Sequence, residues 1–147
     1  MDIGFQFEVI YKDADLLEVR IAAWNGSFGG VANVYLDISK LEEAATALKG
    51  FPVRSSDVRE VTFGAFGPQS AGGGVTMRYY CVDSAGHAFV DSRIEAGSNQ
   101  SNPTEYVTLS VAIEAAAVDS FVDELRQMGL TRGGKARLAG VPISVRR

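Results

Sequence analysis

Residues 16 to 30 read LLEVRIAAWNGSFGG, and this stretch decides the fold class. From Leu17 to Ala23 every second residue is apolar, which is the side-chain period of a β-strand with one buried face. Asn25-Gly26 follows, and this dipeptide is typical of a two-residue hairpin turn because both residues tolerate a positive φ. We therefore predict a hairpin with one wholly apolar face. Its predicted opposite pairs are Leu17 with Val34, Val19 with Ala32 and Ala23 with Phe28.

Strand-like segments recur along most of the chain. Residues 5–12 precede the hairpin and turn back at 13–15, so the chain is predicted to open with a three-stranded antiparallel meander. Four further segments combine alternation with β-branched and aromatic residues, which suit a pleated and half-buried surface. These segments are residues 59–66, 74–82, 87–96 and 105–113.

Two segments instead have the periodicity of amphipathic helices. The first begins at Ser39, which has the capping-box spacing to Glu42, and ends at Gly50, just before a proline that prevents continuation. The second follows residue 113 and ends at Gly129. The residues predicted to face the core are Leu41, Ala44, Ala45 and Leu48 in the first helix, and Val118, Phe121, Val122, Leu125 and Met128 in the second.

These elements define the expected architecture. A shift of 77 positions places the last strand and the helix of the first half on those of the second, so a meander-helix unit is predicted to occur twice. We predict an α+β fold in which an antiparallel β-sheet of about seven strands carries two α-helices packed on one face. One domain spans residues 1–147, with its body at 3–129 and a basic C-terminal segment at 130–147 that is a candidate edge strand.

The chain has one cysteine and one histidine, Cys81 and His87, and both lie in the predicted strand pair at 78–93. The most favourable register of this pair turns Cys81 towards the core and His87 away from it. Side chains on opposite faces of a sheet cannot act as a nucleophile and its base. The sequence therefore predicts a structural hairpin. Its outward-facing cross-strand pairs are Arg78 with Asp91 and Tyr80 with Phe89.

Other catalytic arrangements fail by residue count or by context. One histidine and one cysteine are too few for a zinc site, and no serine lies in a nucleophile elbow. The glycine-rich run at 70–74 lacks the lysine of a phosphate-binding loop and precedes a strand, whereas such a loop must open a helix. Carboxylate chemistry stays open, because several acids occur between Asp83 and Glu105. The sequence predicts no cofactor, no metal and no catalytic residues, and it favours a non-enzymatic protein.

Charge and composition restrict the class of partner. The net charge of −4 hides an uneven distribution, because residues 132–147 contain five basic residues and no acid, which leaves 9 basic against 18 acidic residues before them. An acidic body argues against a nucleic-acid partner, which needs a positive face, and suits a basic protein. With no long apolar run and no secretory signal, we expect no membrane partner and a cytoplasmic location.

Four short motifs add a resemblance. They are Asn-Gly-x-Phe-x-Gly at 25–30, Leu-x-Gly-Phe-Pro at 48–52, Asp-x-x-Gly-His at 83–87 and Phe-Val-x-x-Leu at 121–125. Over residues 5–128 the chain resembles a set of small, uncharacterised bacterial single-domain proteins, some of which are linked to immunity against toxins. The resemblance rests on turn and packing residues, so it implies no catalytic residues, and it implies an immunity-type role by analogy.

Together these observations predict a non-enzymatic protein-binding module, and in the sharpest version an immunity-type protein that neutralises a basic partner. The alternative is a small-molecule-binding α+β domain with an apolar cavity between sheet and helices, with carboxylate-based catalysis as a variant. An open antiparallel edge also allows a homodimer. The candidate interaction surface consists of aromatic and charged residues expected to face outward. These residues are Trp24, Arg78, Tyr80, Phe89 and Asp91.

Overall fold

A computed structural model describes residues 1–97 and 103–143 of the chain. Residues 144–147, the end of the basic C-terminal segment, lie outside the described residues. Within the described ranges the chain forms eight strands and two helices. In order these are β1 (Gly4–Lys12), β2 (Leu16–Trp24), β3 (Gly29–Asp37), α1 (Lys40–Leu48), β4 (Val58–Gly64), β5 (Gly74–Cys81), β6 (His87–Glu95), β7 (Tyr106–Glu114), α2 (Ala117–Thr131) and β8 (Lys135–Ala139).

The strands form two antiparallel sheets of four strands each. The first sheet has the order β3-β2-β1-β8 and the second has the order β4-β5-β6-β7. The α+β class and the antiparallel pairing are confirmed, but the prediction of one sheet of about seven strands is wrong. Alternation identifies the buried face of each strand, whereas it does not identify which strands share hydrogen bonds. After α1 the next strand, β4, belongs to a second sheet and does not pair with the strands of the first sheet.

The helices also differ from the predicted arrangement. The two helices pack against each other, and α2 lies against β8 of the first sheet, so they do not cover one face of a single sheet. Every residue predicted for their apolar faces is buried. The unit formed by β7 and α2 begins 77 residues after the unit formed by β3 and α1, which matches the predicted offset.

One core joins both sheets and α2. The ring of Phe7 in β1 makes edge-to-face contacts with Phe63 in β4, at a centroid distance of 5.0 Å, and with Phe121 in α2, at 5.3 Å. These rings belong to a continuous cluster of buried apolar residues contributed by strands of both sheets and by both helices. Each sheet therefore has one face on the core and one outer face.

The first hairpin has a register two residues away from the predicted one. Trp24 pairs with Gly29 instead of lying beside a two-residue turn, so the loop contains four residues. The Asn25 side-chain oxygen accepts hydrogen bonds from the backbone N–H groups of Ser27 at 2.9 Å and Phe28 at 2.8 Å. An asparagine that satisfies two loop donors in this way favours the longer loop. As a result Phe28, predicted to be in the core, is 64% exposed.

The ends of the helices depart from the predicted caps. Ser39 has helical backbone angles and makes no side-chain cap, because a capping box needs an extended N-cap residue. Its hydroxyl lies 3.4 Å from the Glu43 carboxylate, so the predicted pairing with Glu42 is wrong. Gly50 has the expected positive φ of 79°. The second helix continues past Gly129 to Thr131.

Candidate functional site

The outer face of the second sheet carries four of the five predicted interaction residues in an ordered grid. The register predicted for residues 78–93 is confirmed, because Arg78 pairs with Asp91 and Tyr80 with Phe89. Extended to β4 and β7, the same register gives rows of four side chains, one from each strand. One row is Val58, Tyr80, Phe89 and Ala112, the next is Glu60, Arg78, Asp91 and Ser110, and the third is Thr62, Thr76, Arg93 and Thr108.

Four of the predicted residues form one connected group, here named the aromatic–acidic cluster: Arg78, Tyr80, Phe89 and Asp91. The rings of Tyr80 and Phe89 stack with centroids 6.2 Å apart. The Arg78 guanidinium lies over the Tyr80 ring, 5.1 Å from its centroid. The Tyr80 hydroxyl donates a hydrogen bond of 3.0 Å to Asp91 Oδ1, which also accepts one of 2.7 Å from the Ser110 hydroxyl. These contacts hold the cluster in one geometry.

The Tyr80 hydroxyl keeps its proton at neutral pH. Burial raises the pKa of Tyr80, and the hydrogen bond to Asp91 and the charge of Asp91 raise it further, while Arg78 lowers it. A protonated phenol can donate to the carboxylate, whereas a phenolate would repel it. The cluster therefore presents a fixed donor, a carboxylate oxygen, a cation and an aromatic surface side by side.

Trp24, the fifth predicted residue, lies on the other sheet. Its cross-strand neighbours are Gly4 and Gly29, so it has no large side chain directly opposite it. Asn25, which follows Trp24, contacts the second sheet. Its side-chain amide donates a hydrogen bond of 3.1 Å to the Ser110 carbonyl. Since Ser110 also binds Asp91, the loop after Trp24 meets the edge of the aromatic–acidic cluster.

Cys81 and His87 lie on opposite faces of their strand pair. Cys81 packs against the core and lies opposite Ala88, whereas the His87 side chain is 55% exposed. The His87 Nδ1 atom lies 2.7 Å from Asp83 Oδ2. Burial raises the pKa of the Cys81 thiol, and the charges of Asp57 and Asp83 add to this effect. The thiol therefore stays protonated, and the reactive thiolate is disfavoured.

The acids in this part of the chain are held apart in separate structural roles. Asp91 lies in the cluster, and Asp83 accepts hydrogen bonds within its own hairpin loop. The Glu95 carboxylate is buried, accepts the backbone N–H of Gly67 and lies 3.5 Å from the Arg93 guanidinium. Among residues 1–97 and 103–143, no group of three or more His, Cys, Asp or Glu side chains could hold a metal ion.

Depressions occur on the outer faces of the sheets. One of about 420 Å³ lies along the polar rows of the second sheet, between Glu60 and Ser110. Another of about 310 Å³ lies between Phe89 and Ile143. A third, of about 580 Å³, lies against the first sheet near Arg20 and Tyr35. The space between the sheets and helices is instead occupied by the buried core side chains.

No family model, curated protein or solved structure matches this chain. The resemblance to small bacterial proteins with an immunity role therefore stays a prediction. In the part of the chain that the structure describes, neither helix has the length and apolar character needed to cross a membrane. The candidate site thus rests on its own geometry.

Several residues of this surface were not predicted from the sequence. Val58 and Ser110 complete rows of the outer face, and aligning all four strands instead of one pair would have placed them. Phe28 could have been found by treating Asn25 as a loop cap. Ile143 joins this surface through a backbone contact between Val141 and β7, and no local pattern indicates that contact.

Proposed function

We propose that this protein is a non-enzymatic binding module that engages a basic protein partner through the outer face of its second sheet. The observation that carries the proposal is the aromatic–acidic cluster. Tyrosine and arginine are the residue types most enriched among those that dominate binding energy at protein interfaces. Here the Arg78 guanidinium stacks on the Tyr80 ring, and the Tyr80 hydroxyl donates a hydrogen bond to Asp91, so little side-chain entropy is lost on binding.

The charge of the chain supports a basic partner. Residues 1–131 contain 18 acidic and 9 basic residues, and long-range attraction between such a body and a basic protein accelerates association. A basic enzyme, such as a toxin that acts on nucleic acid, is a partner of this chemistry. Inhibition of such an enzyme by an immunity-type protein is therefore the sharpest version of the proposal.

The small-molecule alternative has less support, because side chains fill the interior of the protein. That hypothesis needs an apolar cavity between sheets and helices, where side chains such as Phe7, Phe63 and Phe121 make direct ring contacts. Charged side chains line two of the outer depressions, Arg20 in one and Glu60 in the other. A flat and charged outer face suits a macromolecule better than a drug-sized ligand, which proteins usually enclose.

Affinity capture tests the proposal. The immobilised protein is used to recover partners from its native host, each recovered protein is purified, and its Kd is measured by calorimetry. We expect a basic partner whose Kd rises by about 30-fold for Tyr80→Ala, as for a residue that dominates an interface. Tyr35→Ala is the matched control, because Tyr35 is an exposed tyrosine on the first sheet. Equal affinity for Tyr80→Ala and the wild type would contradict the proposal.

A further inference from the structure

The aromatic–acidic cluster continues into an apolar surface, here named the apolar band: Val58, Tyr80, Phe89, Ala112, Val82 and Ile143. Ala112 is buried, and Tyr80 and Phe89 are half-buried. The first four form one row across all four strands of the second sheet. Val82 comes directly after β5, where its backbone N–H donates a hydrogen bond to the His87 carbonyl. Val58, Val82 and Ile143 are 50%, 51% and 44% exposed. A contiguous exposed apolar patch, unlike single apolar residues, indicates an interaction surface.

Carboxylates border the apolar band on both sides. Glu60 and Asp91 lie in the next row on one side. On the other side Asp83 follows Val82, and Glu114 pairs with His87 across the strands. The cations in these positions are Arg78, which stacks on Tyr80, and His87, which is bound to Asp83. Among the described residues that border the apolar band, carboxylates therefore outnumber cations.

One end of the apolar band contains a pocket. The backbone N–H of Val141 donates a hydrogen bond of 2.8 Å to the Ala112 carbonyl, which holds the chain beside β7. Ile143 follows, and a depression of about 310 Å³ lies between it, Val82 and Phe89. An apolar anchor side chain that enters such a pocket is typical of the centre of a protein interface.

From this arrangement we infer that the apolar band binds a basic amphipathic helix of the partner, an inference that rests on the proposed function. Strands lie about 4.8 Å apart, close to the helical pitch of about 5.4 Å, so an apolar helix stripe can follow the row across the sheet. Lysine or arginine side chains beside that stripe then meet the carboxylates on both sides. An added strand beside β7 fits less well, because Asn25 and Val141 bind the free side of that strand.

A synthetic helical peptide tests the inference directly. The probe is a fluorescein-labelled peptide with leucine at the positions of one helix face and lysine elsewhere. Its control has the same composition in an order that forms no apolar face. We expect anisotropy titrations to give a Kd about tenfold lower for the amphipathic peptide than for the control. Equal affinities, or no binding of either peptide, would overturn the inference.

Substitutions on the protein locate the contact. Val82→Lys and Glu60→Lys each place a positive charge at the apolar band or its border, and each is expected to weaken peptide binding about tenfold. Val53→Lys and Glu42→Lys are matched controls, since Val53 and Glu42 are exposed elsewhere. Equal losses in the control variants would overturn the inference, because only general charge attraction would then remain.

The purified partner separates this inference from the proposed function. A partner that loses affinity with both Tyr80→Ala and Val82→Lys supports both. A partner that is sensitive to Tyr80→Ala but not to Val82→Lys overturns the inference and leaves the proposed function in place. A partner that is insensitive to both overturns the proposed function.

Discussion

At the scale of single residues, the pKa of His87 depends mainly on Asp83. The hydrogen bond that His87 donates to Asp83 raises the pKa of His87, with further contributions from the charges of Asp83 and Glu114. We expect Asp83→Asn to lower the pKa of His87, as measured by NMR titration of the imidazole protons. Asparagine keeps the side-chain oxygen that accepts the Ala85 N–H, so the loop is retained. Asp15→Asn, in another exposed loop, is the control and should leave the titration unchanged.

The sign of the associated pH effect follows from the direction of the two pKa changes. Since the pKa of His87 is raised in the folded state, its stabilising contribution is complete below the unfolded-state pKa and is lost as pH rises through the raised value. The hydrogen bond from His87 lowers the pKa of Asp83, so the contribution of Asp83 is lost as pH falls through that lowered value. An unchanged His87 titration in Asp83→Asn would contradict this account.

Phe28 and Phe7 provide a second test at this scale. Phe28 is exposed in the hairpin loop, whereas Phe7 is fully buried between two aromatic rings. Phe28→Ala should change the free energy of unfolding by less than about 0.5 kcal/mol, and Phe7→Ala should lower it by about 3–5 kcal/mol. Urea denaturation measures both. A large loss in Phe28→Ala would instead support the two-residue turn predicted from Asn25-Gly26.

At the scale of elements, the C-terminal end of α1 depends on a residue of β4. The Arg59 guanidinium donates to the Lys49 carbonyl at 2.7 Å and to the Ala47 carbonyl at 3.3 Å, and it pairs with Asp57 at 2.9 Å. The last turn of α1 contains no basic residue, so Arg59 provides the cation that helix carbonyls favour.

Removal of this contact should destabilise the fold. We expect Arg59→Met to lower the free energy of unfolding by about 1–2 kcal/mol, because charged hydrogen bonds to helix carbonyls are lost while the apolar stem is kept. Arg54→Met, at an exposed position in the same connection, is the control. The hydrogen bond from Arg59 lowers the pKa of Asp57, so this contribution is present at neutral pH and is lost as pH falls through the lowered pKa. Equal stability of the two variants in urea denaturation would contradict the prediction.

The elements also separate what the sequence can predict from what it cannot. Local periodicity placed the buried faces of both helices, and cross-strand complementarity placed Arg78 opposite Asp91. The hydrogen-bond partners of side chains in loops and helix caps were not predicted, because residues such as Asn25 and Ser39 can bond several nearby groups. The division into two sheets was missed because it depends on long-range packing, such as the contact of Phe7 with Phe63.

At the scale of the whole molecule, the shared core predicts cooperative unfolding. Phe7, Phe63 and Phe121 connect the first sheet, the second sheet and α2, so neither sheet can lose its packing alone. We expect near-ultraviolet and far-ultraviolet circular dichroism to give coincident urea transitions. Phe63→Leu should lower the free energy of unfolding by about 1–2 kcal/mol and reduce hydrogen-exchange protection in both sheets. Val58→Ala, on the outer face of the same strand, is the control.

Two separate transitions would contradict a shared core, as would exchange protection that falls in the second sheet alone.

The candidate site, like the fold, was predictable only in part. The aromatic–acidic cluster was predictable because its residues share one hairpin register. The apolar band was not, because Val58, Ala112 and Ile143 come from segments far apart in the chain.

The contacts on the free side of β7 also affect how copies of this protein behave when they are crowded together. An edge strand with open backbone groups can pair with the same strand of another molecule and start an aggregate. Here Asn25 binds the Ser110 carbonyl and Val141 binds the Ala112 carbonyl, so two acceptors of that edge are already occupied. The hairpin loop and the C-terminal segment thus protect the edge of β7, which borders the end of the proposed binding surface that contains Ala112 and Ile143.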